Sequence, residues 1–157
     1  MSTHQANVSV QWTGGFSGRG TIDAAGFNAQ VSLPKEFGGA AIGTSPEDLL
    51  LSSIASCHLI TLGIILDKNG VDYQSLSIEG RLLTKTGPPP VIEEVQLTIH
   101  IATQTGQDEL EKLGEKVDGF CLIGKALKSE IKKTVKIIRT LPAALSSREA
   151  MPMTLGV

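Results

Sequence analysis

The chain opens with an alternating run. In "NVSVQWT", Val8, Val10 and Trp12 fall on one face, the two-residue period of a β-strand. "GGFSGRG" follows as a turn, and "TIDAA" and "FNAQVSL" read as two more short strands divided by Gly26. "PKEFGGAAIGTSPE" is a glycine-rich loop that ends in a helix start: Ser45 as N-cap, Pro46 in the first helical position and Asp48 closing a short capping box. The helix is predicted to run to about Lys68, where Asn69-Gly70 stops it. Apolar side chains lie nearly all round it, which predicts burial on most sides. A small monomer cannot easily surround such a helix, so the pattern favours a dimer.

Alternation then resumes. "SLSIEGRLLT" places Leu76, Ile78 and Leu82 together, and "VIEEVQLTIHIAT" does the same for Val91, Val95, Leu97, Ile99 and Ile101. With the rigid "TGPPP" between them, the two runs predict a long hairpin. "QDELEKLGEKVDGF" is an amphipathic helix with Leu110, Leu113 and Val117 inward, "CLIGKALKS" a short helix opening at Cys121, and "EIKKTVKIIRT" the last strand. The order is three strands, a long helix, two strands, two helices and a strand, an α+β arrangement. We expect a single domain over residues 1–157, with a core from about 8 to 140 and a tail from 141 to 157.

Charge adds little to this picture. The 157 residues carry a formal net charge of −2 at a pI of about 5.9, which gives no reason to expect nucleic acid or an anionic membrane surface. The one basic stretch, Lys125 to Arg139, reads as a strand with a solvated charged face. The uncharged run Leu49–Leu66 has the length of a short membrane span, but it carries Ser52, Ser53, Ser56, His58 and Thr61 and lacks flanking aromatic belts. A buried central helix accounts for it better. The N-terminus has neither the basic nor the apolar region of a signal peptide, so the expected compartment is the cytosol, where two cysteines are redox-active or inert more often than bridged.

Chemistry concentrates on those cysteines. Cys57 and Cys121 stand apart without a zinc-ligand spacing, His4, His58 and His100 are scattered, and no phosphate- or dinucleotide-binding glycine motif is present, so no metal and no cofactor are expected. Cys57 can be read as apolar filler. Its helical stripe, however, also carries Ser53 and Thr61, one turn away on either side. Cys121 opens a helix, where unpaired N–H groups lower a thiol pKa. Glu47 stands in the first turn of the long helix. Ten helical residues span about 15 Å, so Glu47 and Cys57 can share a site only across two subunits or a broken helix. His58 projects about 100° from Cys57 and reads as a core or interface histidine, not a catalytic base.

"GTSPEDLLLSSIASCHLITL" and "CLIGKALKSEI" resemble, as a spaced pair, the two cysteine motifs of the OsmC/Ohr family of hydroperoxide-reducing proteins. The likeness runs from about Val8 to Arg139, and "WTGG" and "PKEFGG" look more like the organic hydroperoxide resistance branch. It implies an OsmC-like fold, with antiparallel sheets wrapped around long central helices in an intertwined homodimer. It also implies a thiol peroxidase. Cys57 attacks the peroxide and becomes a sulfenic acid, Cys121 condenses with it to a disulfide, and a dithiol, typically a lipoylated protein, restores both thiols. The basic residue departs from the family pattern. Phe16 stands where that branch carries arginine after two glycines, and Gln30 stands where the other branch carries one in the third strand. Arg19 is therefore the expected cation, paired with Glu47 and oriented on Cys57, with Lys35 as the substitute. Two other classes remain open: a non-enzymatic module binding a small hydrophobic ligand, and a thiol redox sensor.

Overall fold

A computed structural model describes residues 2–127 and 131–143. The chain forms two three-stranded sheets and a long helix that packs on the second of them. The first sheet is an antiparallel meander of β1 (Val8–Thr13), β2 (Arg19–Ala24) and β3 (Phe27–Val31). Its pairing sets Val8 opposite Ala24, Val10 opposite Ile22 and Trp12 opposite Gly20. One face is therefore apolar, and the other carries Ser9, Gln11, Thr13, Arg19, Thr21 and Gln30. Trp12 Nε1 donates to the Gly14 carbonyl at 2.9 Å and pins the first turn.

The loop after β3 doubles back on it. Thr44 N–H donates to Gln30 O, and Ser32 N–H donates to Thr44 O. Gly43, at φ 76°, is required there, because a Cβ would stand 2.3 Å from Gln30 O. The chain then enters α1 (Pro46–Lys68) through the expected capping box. Ser45 Oγ accepts from Asp48 N–H, and the Asp48 carboxylate accepts from Ser45 N–H. Caps of this kind stabilise a helix by about 1 kcal/mol. Asn69 and Gly70, the latter at φ 67°, end the helix as expected.

The second sheet, ordered β4 (Ser75–Lys85), β5 (Val91–Ala102), β6 (Lys132–Thr140), holds the core. Val95, Leu97, Ile99 and Ile101 of β5 are buried against α1 and α2 (Gln107–Glu115). Val91, expected on the same inward face, is exposed, because the β4–β5 register shifts at Leu83/Thr84. The expectation of wholly antiparallel sheets also needs correction. β6 runs parallel to β5, because α2, α3 (Val117–Phe120) and α4 (Leu122–Ala126) carry the chain back across the sheet before β6 begins. Leu110, Leu113 and Val117 all point inward, as their spacing predicts.

Within this chain α1 buries a single stripe: Ile54, His58, Leu62, Ile65 and Leu66. Burial on most sides is thus not reached by this chain alone; Ile60 and Ile64 remain exposed. Among the described residues α1 is the one helix long and apolar enough to cross a membrane, and its buried stripe forms part of the core with β5, α2 and α3. Most of the tail expected over 141–157 lies outside the described residues.

Candidate active site

The two cysteines, 64 positions apart in sequence, meet in space. Cys57 sits in the middle of α1, and Cys121 is the N-cap of α4. Both are free thiols, and their Sγ atoms are 3.1 Å apart, with Cys121 donating to Cys57. A disulfide needs about 2.0 Å, so closure asks for a movement of roughly 1 Å. The placement has local causes. Cys121 N–H donates to Val117 O at 2.8 Å, which ends α3, and Gly124 N–H donates to Cys121 Sγ at 3.3 Å, which begins α4. Gly124 permits this: a Cβ there would lie 3.2 Å from that sulfur.

The sulfurs differ electrostatically. Burial pushes the Cys57 thiol up, but it is outweighed by hydrogen bonds from the Ile123 N–H, the Cys121 thiol, the Leu122 N–H and the Thr61 hydroxyl, and the net shift is downward. For Cys121 burial also dominates, and the hydrogen bond to Cys57 and its charge add to it, so this thiol is raised despite the Gly124 N–H and nearby Lys133. The expectation that the helix start lowers the pKa of Cys121 is thereby corrected. The Leu122 and Ile123 N–H groups of α4 favour the Cys57 anion instead, and Cys121 is left as the donor to it. The arrangement poises Cys57 as thiolate and Cys121 as thiol. Thr61, noted from its helical spacing, does serve the sulfur.

His58 turns away from the thiol pair and is buried, and among the described residues neither ring nitrogen has a partner. Burial is the main reason its pKa falls, with Lys133 adding to the effect and Asp118 opposing it.

The other expected site residues lie elsewhere in the chain. Glu47 begins the same unbroken α1, about 15 Å along the helix from Cys57. It lines a cavity of about 670 Å³ together with Lys35 and Arg81, and its buried Oε2 has no hydrogen-bond partner among the described residues. Arg19 is exposed at the start of β2, beside Gln30 in a shallow hollow on the polar face of the first sheet. Among the described residues it forms no ion pair with Glu47. The chain therefore brings Cys57 and Cys121 together and leaves Arg19, Glu47 and Lys35 apart from them. Sequence reasoning overlooked Arg81, which lines the same cavity as Glu47 because β4 packs along α1, a relation no motif reports.

A family model described as OsmC-like protein matches residues 38–136, a stretch that includes both cysteines. The chain belongs to the OsmC-like family. Among curated relatives, YmaD of Bacillus subtilis is 26% identical over 137 residues, covering 83% of this chain and 91% of its own. Among solved structures, an OsmC-like protein from Mycoplasma pneumoniae aligns with a TM-score of 0.75 at 19% identity, covering 88% of this chain and 99% of that one. An organic hydroperoxide resistance protein OsmC from Legionella pneumophila aligns at 0.72 and 19%, covering 87% and 98%. These likenesses carry the OsmC-like fold for this chain, an α+β fold of two sheets and helices.

Proposed function

We propose that this OsmC-like protein is a thiol peroxidase that reduces organic hydroperoxides to alcohols. The observation that carries the reading is the 3.1 Å approach of two free, electrostatically unequal sulfurs. The Cys57 thiolate attacks the distal oxygen of the hydroperoxide. The O–O bond breaks, the departing alkoxide takes a proton and leaves as alcohol, and Cys57 becomes a sulfenic acid. Cys121, as thiolate, then attacks the Cys57 sulfur. The S–S bond forms, and hydroxide leaves and is protonated to water. An external dithiol, for which a lipoylated protein is the family's usual source, reduces the disulfide by two exchange steps.

Alkyl hydroperoxides suit the surroundings better than hydrogen peroxide. Phe120 and Leu122, on either side of Cys121, and Ile60 on α1 are exposed apolar side chains near the thiols. We further propose that the protein works as a homodimer. Glu47 and Arg19 could then serve a thiol site only by reaching it from the partner protomer.

The test is direct. Cys57→Ser is expected to abolish consumption of cumene hydroperoxide with a dithiol donor. Peptide mapping of the parent after one peroxide equivalent should find Cys57 joined to Cys121. Consumption by Cys57→Ser at the parent rate would end the proposal.

A further inference from the structure

Lys133 occupies an unusual position for a lysine. It stands on β6 beside Val95 of β5, and the next residues of its face, Val135 and Ile137, stand beside Leu97 and Ile99. The inward side of that strand is thus lysine, valine, isoleucine. The Lys133 side chain is 23% exposed. A cation on a core-facing position is costly unless paired, and it is paired: its ammonium forms a short ion pair with Asp118 of α3. The pair stands next to the resolving thiol. The point where a Cβ on Gly124 would sit is 3.2 Å from Cys121 Sγ and 3.9 Å from Lys133 Nζ. Lys133 and Asp118 also form a shared wall between two cavities. One, of about 220 Å³, is lined by Ile54, Leu127 and Ile131; the other, of about 550 Å³, is lined by His58.

We propose that Lys133 supplies the positive charge of the thiol site and acts as a positioning residue, favouring the Cys121 thiolate when it must attack oxidised Cys57. This rests on the peroxidase reading above. In the reduced state Cys57 carries the charge and Cys121 donates to it. Once Cys57 is a sulfenic acid that charge is gone, Cys121 must give up its proton, and the nearby ammonium stabilises the anion that remains. Asp118 holds the ammonium in place and partly offsets it. The other titratable groups facing the pair are Cys57 and His58 of α1, with Glu111 and Glu115 of α2 and Lys136 of β6 around the larger cavity.

A merely structural ion pair, tying β6 to α3, makes a different prediction, and the two can be separated. The test uses the full chain carrying Cys57→Ser, so that Cys121 is the sole thiol, titrated by its ultraviolet thiolate absorbance. Lys133→Met should raise the Cys121 midpoint by about 0.5 pH unit or more, and Lys133→Arg should restore it. Asp118→Asn should move it the other way, downward. In the chain with both cysteines, Lys133→Met should slow disulfide closure about threefold below the midpoint, read as sulfenic acid trapped by dimedone. An unchanged midpoint in a folded Lys133→Met protein overturns the proposal. So does a rise in Asp118→Asn that matches Lys133→Met, the signature of a structural pair. The titration needs no peroxide, so its outcome is separate from whether the chain turns over hydroperoxide.

Discussion

The two sheets obey the same rule of alternation and end in opposite circumstances. β5 buries Val95, Leu97, Ile99 and Ile101 beneath helices of its own chain. β1 sets Val8, Val10 and Trp12 on one face just as regularly, yet they remain 64%, 58% and 46% exposed. Alternation specifies which face wants cover; it does not say which chain supplies it. The exposed Ile60 and Ile64 on α1 are unpartnered in the same way. An open sheet face and an open helix face in one protomer are what two interlocking copies would cover, as the family's usual homodimer would do.

That contrast can be broken by substitution. The largest effect is expected in the second sheet. Ile99→Ala opens a cavity in the centre of the core and should cost about 2–5 kcal/mol in denaturant unfolding. A loss below about 1 kcal/mol would mean that β5 is not the protomer's own core. In the first sheet Val10→Asp should scarcely touch the protomer, since the side chain is already in water there, yet it should shift the protein from dimer to monomer in sedimentation velocity. If Val10→Asp remains dimeric at micromolar concentration, that apolar face is covered by something other than a second copy.

Much of the fold was legible because its signals are local. A Ser-Pro-Glu-Asp helix start, an Asn-Gly stop and two-residue alternation each act within a few residues, and all produced the elements they predicted. What escaped depends on distant partners. Val91 left the core because of a register shift in β4, and β6 ran parallel because of the helices before it. The approach of Cys57 to Cys121 cannot be computed from a spacing of 64; only the family resemblance pointed to it. Lys133 was hidden in a run of basic residues that reads as a solvated face, although on an alternating strand every second side chain turns inward. The helix start at Cys121 was foreseen, but its electrostatic effect was assigned to the wrong sulfur. Which thiol the N–H groups favour depends on where α1 places Cys57.

The same comparison extends to the thiols, where the pH dependence of turnover reports the lower of the two. In the proposed peroxidase, attack needs the Cys57 thiolate, and burial is outweighed there by hydrogen bonds that shift its pKa below that of an ordinary cysteine. The rate should therefore rise with pH and level off before an ordinary thiol would. Thr61→Val removes one of the hydrogen bonds that favour the anion and should move this acid limb upward by a few tenths of a pH unit, a change smaller than any substitution at the sulfurs themselves. An acid limb in the parent at the position of a free thiol would refute the assignment of Cys57 as the poised nucleophile.

The smallest effect concerns His58, on the covered side of α1. Its imidazole is buried, neither nitrogen is hydrogen-bonded among the described residues, and burial keeps its pKa below that of the unfolded chain. The sign follows from proton counting. As pH falls through about 6.5, the unfolded state takes up a proton that the folded state refuses, so stability is lost toward acid. Between pH 7.5 and 5.5 this one group therefore works against the folded state. His58→Leu replaces the ring with an apolar side chain that has no polar atoms to strand. It should be neutral or slightly stabilising at pH 7.5 and should remove that part of the acid sensitivity, with unfolding by urea at the two pH values as the measurement. Should His58→Leu instead lose stability at pH 7.5 and keep the full acid sensitivity, the ring nitrogens must have partners in the assembled protein, and the larger cavity beside Lys133 would be where to seek them.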